Sequence, residues 1–300
     1  MAYRLRWKKS PAIELSRVVT REFQKALEEI GSQSAGRTEA IHEARKHVKK
    51  IRAVLRLLQK KLGDDYRIHN RRLKAVAHQL SSLRDADATA ETMKAIRDHY
   101  PRLVTTAVFA AVCGGLSSRK RGTVARLDPD HLLLRVEREL RRAAKSMPRL
   151  IRHEGRYAVV RAGVARGYRR ARRAMAAVHA NPEDTRFHTW RRRVKDHWYH
   201  MRLLEDFSAQ AKARARRLKR LETWLGDDHN LVLLRAAILS APERFGDERT
   251  TALVLGCIAK YNTALRRRAL KSGERTFASI PAVFRQSVDR WRHDGGRRRK

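Results

Sequence analysis

HEARKHVKKIRAVLR, residues 42–56, carries two periodicities at once. Ile41, Ala44, Val48, Ile51, Leu55, Leu58 and Leu62 alternate spacings of three and four, which predicts the buried stripe of a helix. One position on, His42, Arg45, Lys49, Arg52 and Arg56 repeat that spacing. They form a second stripe about 100° round the helix, at the border of the buried face. At a rise of about 1.5 Å per residue this basic ridge runs for about 21 Å, long enough to lie along several units of an extended polyanion. On one helix a charged flank reads first as a solvated face; histidine leading the same stripe twice, at His42 and again at His188, marks an ordered row.

HTWRRRVKDHWYHMR, residues 188–202, repeats the pattern without a gap at an offset of 146 (188 − 42). Its ridge is His188, Arg191, Lys195, Trp198 and Arg202, beside an apolar stripe of Phe187, Trp190, Val194, His197, Met201 and Leu204. Leu83-Arg84-Asp85 then falls on Leu225-Gly226-Asp227 at an offset of 142 (225 − 83), so the second copy is shorter by four residues in between. A helical unit occurring twice predicts two halves, 1–122 and 123–294, followed by a basic tail over 295–300. GGLSSRKRG at 114–122 reads as the linker between them.

With 70 Lys+Arg against 31 Asp+Glu, the formal charge of +39 calls for a polyanionic partner, while 42% apolar content suffices for a packed core. Strand signals are few. Ser10-Pro11, Tyr100-Pro101 and Asp128-Pro129 read as helix starts, and Gly31, Gly63 and Gly273 as helix stops. Helices are predicted near 10–30, 38–62, 66–82, 85–98, 101–118, 128–146, 154–180, 184–206, 209–225, 227–240, 247–271 and 275–291. Cys113 and Cys257 sit in apolar helical surroundings without metal-ligand spacing and read as buried thiols in a reducing compartment. The N-terminal MAYRLRWKKSP lacks the apolar centre of a secretory signal, and the longest apolar run, 103–116, falls short of the roughly 20 residues that span a bilayer. A cytoplasmic protein without a membrane partner is the expectation.

These motifs resemble the CHAD domain, the conserved histidine α-helical domain. Its twofold H-x-x-R-x-x-x-[KR] is matched by His42, Arg45 and Lys49 and by His188, Arg191 and Lys195. Its acidic element is matched by LRDAD (83–87) and LGDDHN (225–230), and the resemblance covers roughly residues 10–290. It implies an all-α fold of two four-helix bundles, plus accessory helices, related by a pseudo-twofold internal repeat. It also implies inorganic polyphosphate as the ligand, held in a groove or pore between the bundles, and association with polyphosphate granules. Arg166, Arg169 and Arg172, in a Y-R-x-x-R pattern around Tyr168, also resemble the family, whereas Asp196 and Trp198 depart from its basic second motif.

A phosphate chain offers only repeated anionic oxygens, so its receptor needs rows of charged donors. Non-specific nucleic-acid binders add aromatic platforms, and here aromatics are 6% of residues, with Phe187 and Trp190 assigned to the core. Inorganic polyphosphate is therefore the expected partner. A general nucleic-acid or ribosome-associated binder is the alternative, and a metal-dependent phosphohydrolase the third reading. Enzyme signatures fail: His42 and His47 are five apart, which excludes H-E-x-x-H, and no G-x-x-x-x-G-K-[ST] occurs. Asp85, Asp87, Asp227 and Asp228 offer carboxylates to a divalent cation, against helix caps and salt bridges as the simpler use. A metal held by His42 and His188 would be repelled by Arg45 and Arg191. The expectation is a binding protein without cofactor or metal. His42 and His188 are expected to titrate on binding while the lysines and arginines stay charged.

Overall fold

The computed structural model describes residues 3–6, 9–32, 37–82, 85–125 and 128–297. Regular structure among them is helical: α1 (Pro11–Gly31), α2 (Arg37–Ser82), α3 (Asp85–His99), α4 (Thr106–Ala125), α5 (Pro129–Glu154), α6 (Tyr157–Ala180), α7 (Asp184–Leu203), α8 (Ala209–Leu239), α9 (Glu248–Thr276) and α10 (Pro281–Arg297), with a 3-10 turn at Pro242–Arg244. The protein is all-α. Local chemistry sets several starts: Pro11 stands in the first turn of α1. The side chains of Asp128, Ser208 and Asp247 accept from the backbone N–H groups of His131, Ala211 and Thr250.

The helix that carries the first ridge turns back on itself. Arg45 donates to the Leu80 carbonyl at 3.4 Å and Arg52 to Asn70 Oδ1 at 3.3 Å. In a straight helix those partners would lie about 52 Å and about 27 Å apart. The reversal occurs at Gly63, whose φ of +49° and ψ of −117° suit glycine. α2 therefore has two antiparallel arms, 37–62 and 64–82, in keeping with the helices expected near 38–62 and 66–82.

Elsewhere the helical register differs from expectation. The linker expected at 114–122 continues α4, which begins only at Thr106 because Tyr100-Pro101 opens a turn. The helices expected at 209–225 and 227–240 are one, so LGDDHN lies within α8 and is no turn. Gly273 does not stop α9; it makes room for Trp190, whose ring would lie 2.6 Å from an added Cβ. Positions 83–84 and the tail residues 298–300 lie outside the described residues.

Packing does not follow the chain halves. α5 packs back on α1 and α2, while α3 packs on α4 and α8. One hydrophobic core joins α1, both arms of α2, α5, α6, α7, the first part of α8 and α10; a second joins α3, α4, the rest of α8 and most of α9. Phe187 and Trp190 are buried in the first, as their stripe predicts. Each such side chain contributes about 1.5–3 kcal/mol by leaving water. α6 crosses the first arm of α2 so closely that a Cβ at Gly163 would sit 2.0 Å from the Leu57 carbonyl oxygen. α7, which bears the second ridge, packs on α6 and also directly on α2, and so lies beside the first ridge. Both cysteines are free thiols, Cys257 buried and Cys113 half-buried. Among the described residues no helix is long and apolar enough to cross a membrane.

Candidate functional site

The two ridges converge. Lys49 on the first arm of α2 feels the charges of Lys195, Arg45 and Arg191, so the middle positions of both motifs share one electrostatic neighbourhood. Burial is the largest influence on the Lys49 ammonium; with the three cations it brings the pKa down to about 6, against the opposing pull of Glu222. Burial likewise lowers Lys195 and Arg191, with Glu222 again opposing. The Arg191 Nε is buried without a hydrogen-bond partner. The expectation that all lysines stay charged is therefore overturned at Lys49, which phase analysis could not distinguish from a solvated lysine.

Glu222, on α8, is the counterweight. It accepts from Lys195 at 2.5 Å and from Lys219 at 3.1 Å. Burial pushes its carboxyl up, but the two lysines reverse that and hold it at about 2. Neither Glu222 nor Lys219 stood out in the sequence, because both precede the repeated LGDDHN element of α8.

His188 lies at the N-terminal end of the second ridge, with its Nδ1 3.2 Å from that of His229. Burial, then Arg191 and Arg192, lower the His188 pKa; burial, Arg191 and His188 bring His229 down to about 3. His229 lies inside LGDDHN, and its signal is the repeat itself: at an offset of 142 it falls on Asp87. His42 and Arg45 are both half-buried.

At the other end of the two ridges the charges are partly neutralised. Arg56 donates to Asp196 at 2.8 Å, so the acidic departure in the second motif answers an arginine of the first. Burial and Arg56 lower Arg52 to about 10, with Asp196 opposing. Arg170 and Arg193, which the phase reading passed over, join Arg56 and Asp196 around a small void.

The remaining candidates do not all lie beside the two ridges. Arg166 is buried, and its guanidinium donates to the carbonyls of Arg56 and Leu57, which fastens α6 to α2. Arg169 is exposed beside it. Arg172 is exposed and donates to the Phe277 carbonyl. Arg202 lies over the rings of Tyr3 and Trp198, at 5.5 and 5.4 Å.

Of the four candidate carboxylates, Asp228 serves as a structural partner. Asp228 and Asp184 both receive Arg266, which ties α7, α8 and α9 together. Asp227 is raised by burial and by Glu222. The side chains of Asp85 and Asp87 lie outside the described residues. Among the described residues no group of three His, Cys, Asp or Glu could hold a metal ion. What the two ridges offer is rows of guanidinium, ammonium and imidazole donors, outnumbering the Glu222 and Asp196 carboxylates set among them and suited to anionic oxygens at regular spacing.

A comparison with curated proteins returns no match. Residues 17–239 match the CHAD domain, a span that contains both ridges, Glu222 and His229. The chain belongs to the CHAD domain family.

Proposed function

We propose that this protein binds inorganic polyphosphate along the groove between the first arm of α2 and α7, and that it acts by binding and not by catalysis. The observation that carries this reading is the convergence of Lys49, Lys195, Arg45 and Arg191 in one half-buried neighbourhood. Clustered cations that are partly withdrawn from water repel one another, and an anionic chain relieves that repulsion along its length. Arg45, Lys49, Arg52, Arg191 and Lys195 are the central phosphate contacts, with His42 and His188 at one end. Arg56 contributes only as far as Asp196 leaves it free, and Arg166 acts by holding α6 in place. Membership of the CHAD family supports the ligand class. Association with polyphosphate granules is the cellular expectation.

Among the described residues the ridges carry no fully exposed aromatic platform: Phe187 and Trp190 are buried, Trp198 lies half-buried between Arg202 and Lys219, and Tyr66, near Arg52, is half-buried. That favours a phosphate chain over unpaired bases. The test is a competition titration of long polyphosphate against duplex DNA and RNA at fixed, near-physiological salt. Polyphosphate is expected to displace both. Equal affinities for all three would instead identify a general nucleic-acid binder, and shortening of the chain on adding Mg²⁺ or Mn²⁺ would identify an enzyme.

A further inference from the structure

A cleft of about 370 Å³ opens between the second arm of α2 and α5. Arg71 and Arg72 line it from α2 and Arg135, Arg138 and Arg142 from α5, with Glu139 as the acid among them. Glu139 accepts from Arg142 at 3.1 Å. Among the described residues no carboxylate pairs with the other four arginines. All five are exposed.

The cleft is built by phase, as the ridges are. Arg135, Arg138 and Arg142 follow spacings of three and four beside the buried Val136, Leu140 and Ala143. Across from them, Arg72 and Gln79 lie seven apart beside the buried Leu73, Val76 and Leu80. Asn70, which meets Arg52 of the first ridge, and Gln79, which lines the cleft, are nine positions apart on one helix. At about 100° per residue that is a net half turn. The second arm of α2 therefore presents one flank to the ridge groove and the opposite flank to this cleft.

No aromatic side chain lines the cleft, so it has nothing on which to stack a base. Planar guanidinium forks on two facing helices match phosphoryl oxygens, each able to take two of them. We propose that this cleft is a second phosphate-chain site, separate in its residues from the ridge groove, and that one protein grips two polyphosphate segments at once and bridges them. Because its cations are solvated, the cleft holds its segment more weakly and more salt-sensitively than the groove does. On a long chain the two sites reinforce each other through effective concentration.

The experiment counts sites with a short polyphosphate of uniform length, too short to span both grooves, by calorimetry at low salt. It compares the wild type with the exposed triple variant Arg72→Gln/Arg135→Gln/Arg138→Gln and with the ridge variant Arg45→Gln/Arg191→Gln. Two chains per wild-type protein and one per triple variant are expected, together with loss of the light scattering that bridging of long polyphosphate produces. A triple variant that keeps both sites and its scattering overturns the proposal. A ridge variant that keeps both sites while the triple variant loses one would overturn the groove reading and leave the cleft standing. In a parallel titration with short duplex RNA, binding that the triple variant abolishes while its polyphosphate sites persist would assign the cleft to a nucleic-acid backbone and overturn the proposal.

Discussion

His188 and His229 face each other across α7 and α8 with their Nδ1 atoms 3.2 Å apart and their ring centroids 4.4 Å apart. That contact is a hydrogen bond only when one Nδ1 carries a proton and the other does not. Two imidazolium rings would instead oppose like charges.

The histidine contribution to binding therefore falls at lower pH than the motif suggests. Burial and the neighbouring arginines hold His188 below its ordinary value of about 6.5 in the free protein. A bound polyanion favours the charged ring, so binding takes up a proton as pH falls from the bound-state pKa toward the free-state one. His188→Gln is expected to leave affinity at pH 8 unchanged and to remove part of the gain seen below about pH 6.5. Affinity measured across pH 5 to 8 checks this; an unchanged acid-side gain would place the titration elsewhere.

Glu222→Gln is expected to move stability and affinity in opposite directions. Lys195 and Lys219 lose their shared carboxylate, at a cost on the order of 2 kcal/mol for a partly buried pair. The groove also loses a negative charge, so polyphosphate binds more tightly and with a steeper salt dependence. Denaturant unfolding and a salt-series titration read the two effects separately. A variant weaker in both would show that Glu222 shapes the groove more than it neutralises it.

His197 and His200 predict acid sensitivity of the fold. Burial holds His197 well below the usual histidine range and His200 at about 4, and neither His197 nitrogen has a hydrogen-bond partner. The unfolded chain then takes up protons first as pH falls. Stability is fully present above about 6.5, declines below it, and levels off only below the folded-state values. His200 alone contributes a loss of about 2 kcal/mol between pH 7 and pH 5. His197→Leu is expected to be nearly neutral at pH 7 and to reduce the fall in Tm at pH 5. An equal fall in both proteins would rule out His197 as a cause.

The helices, the reversal at Gly63 and the ridge phases were legible because each rests on local chemistry: a 3.6-residue period, or a glycine whose backbone angles other residues avoid. Other features were not legible, because they depend on partners far along the chain. Arg166 follows the same sequence pattern as a solvated arginine, yet it is buried against the Arg56 and Leu57 carbonyls more than a hundred positions away. Likewise Lys49 keeps the spacing of its neighbours, and only the approach of α7 brings Lys195 and Arg191 to it. The continuity of α8 escaped notice because Gly226 is tolerated in mid-helix, where an added Cβ would meet nothing closer than Arg191 Nε at 3.9 Å.

Proton uptake by Lys49 on binding tests the central claim most directly. Its ammonium, lowered to about 6 in the free protein, is largely neutral at pH 7.5, and a phosphate chain in the groove would raise it again. Affinity should accordingly weaken as pH rises above about 6, until the bound-state pKa is reached. Calorimetric titration with polyphosphate at pH 7.5, in buffers of differing ionisation enthalpy, reports the protons taken up. The wild type is expected to take up close to one proton more than Lys49→Gln, while His188→Gln matches the wild type. The same uptake in Lys49→Gln and the wild type would place the phosphate chain away from the groove between α2 and α7.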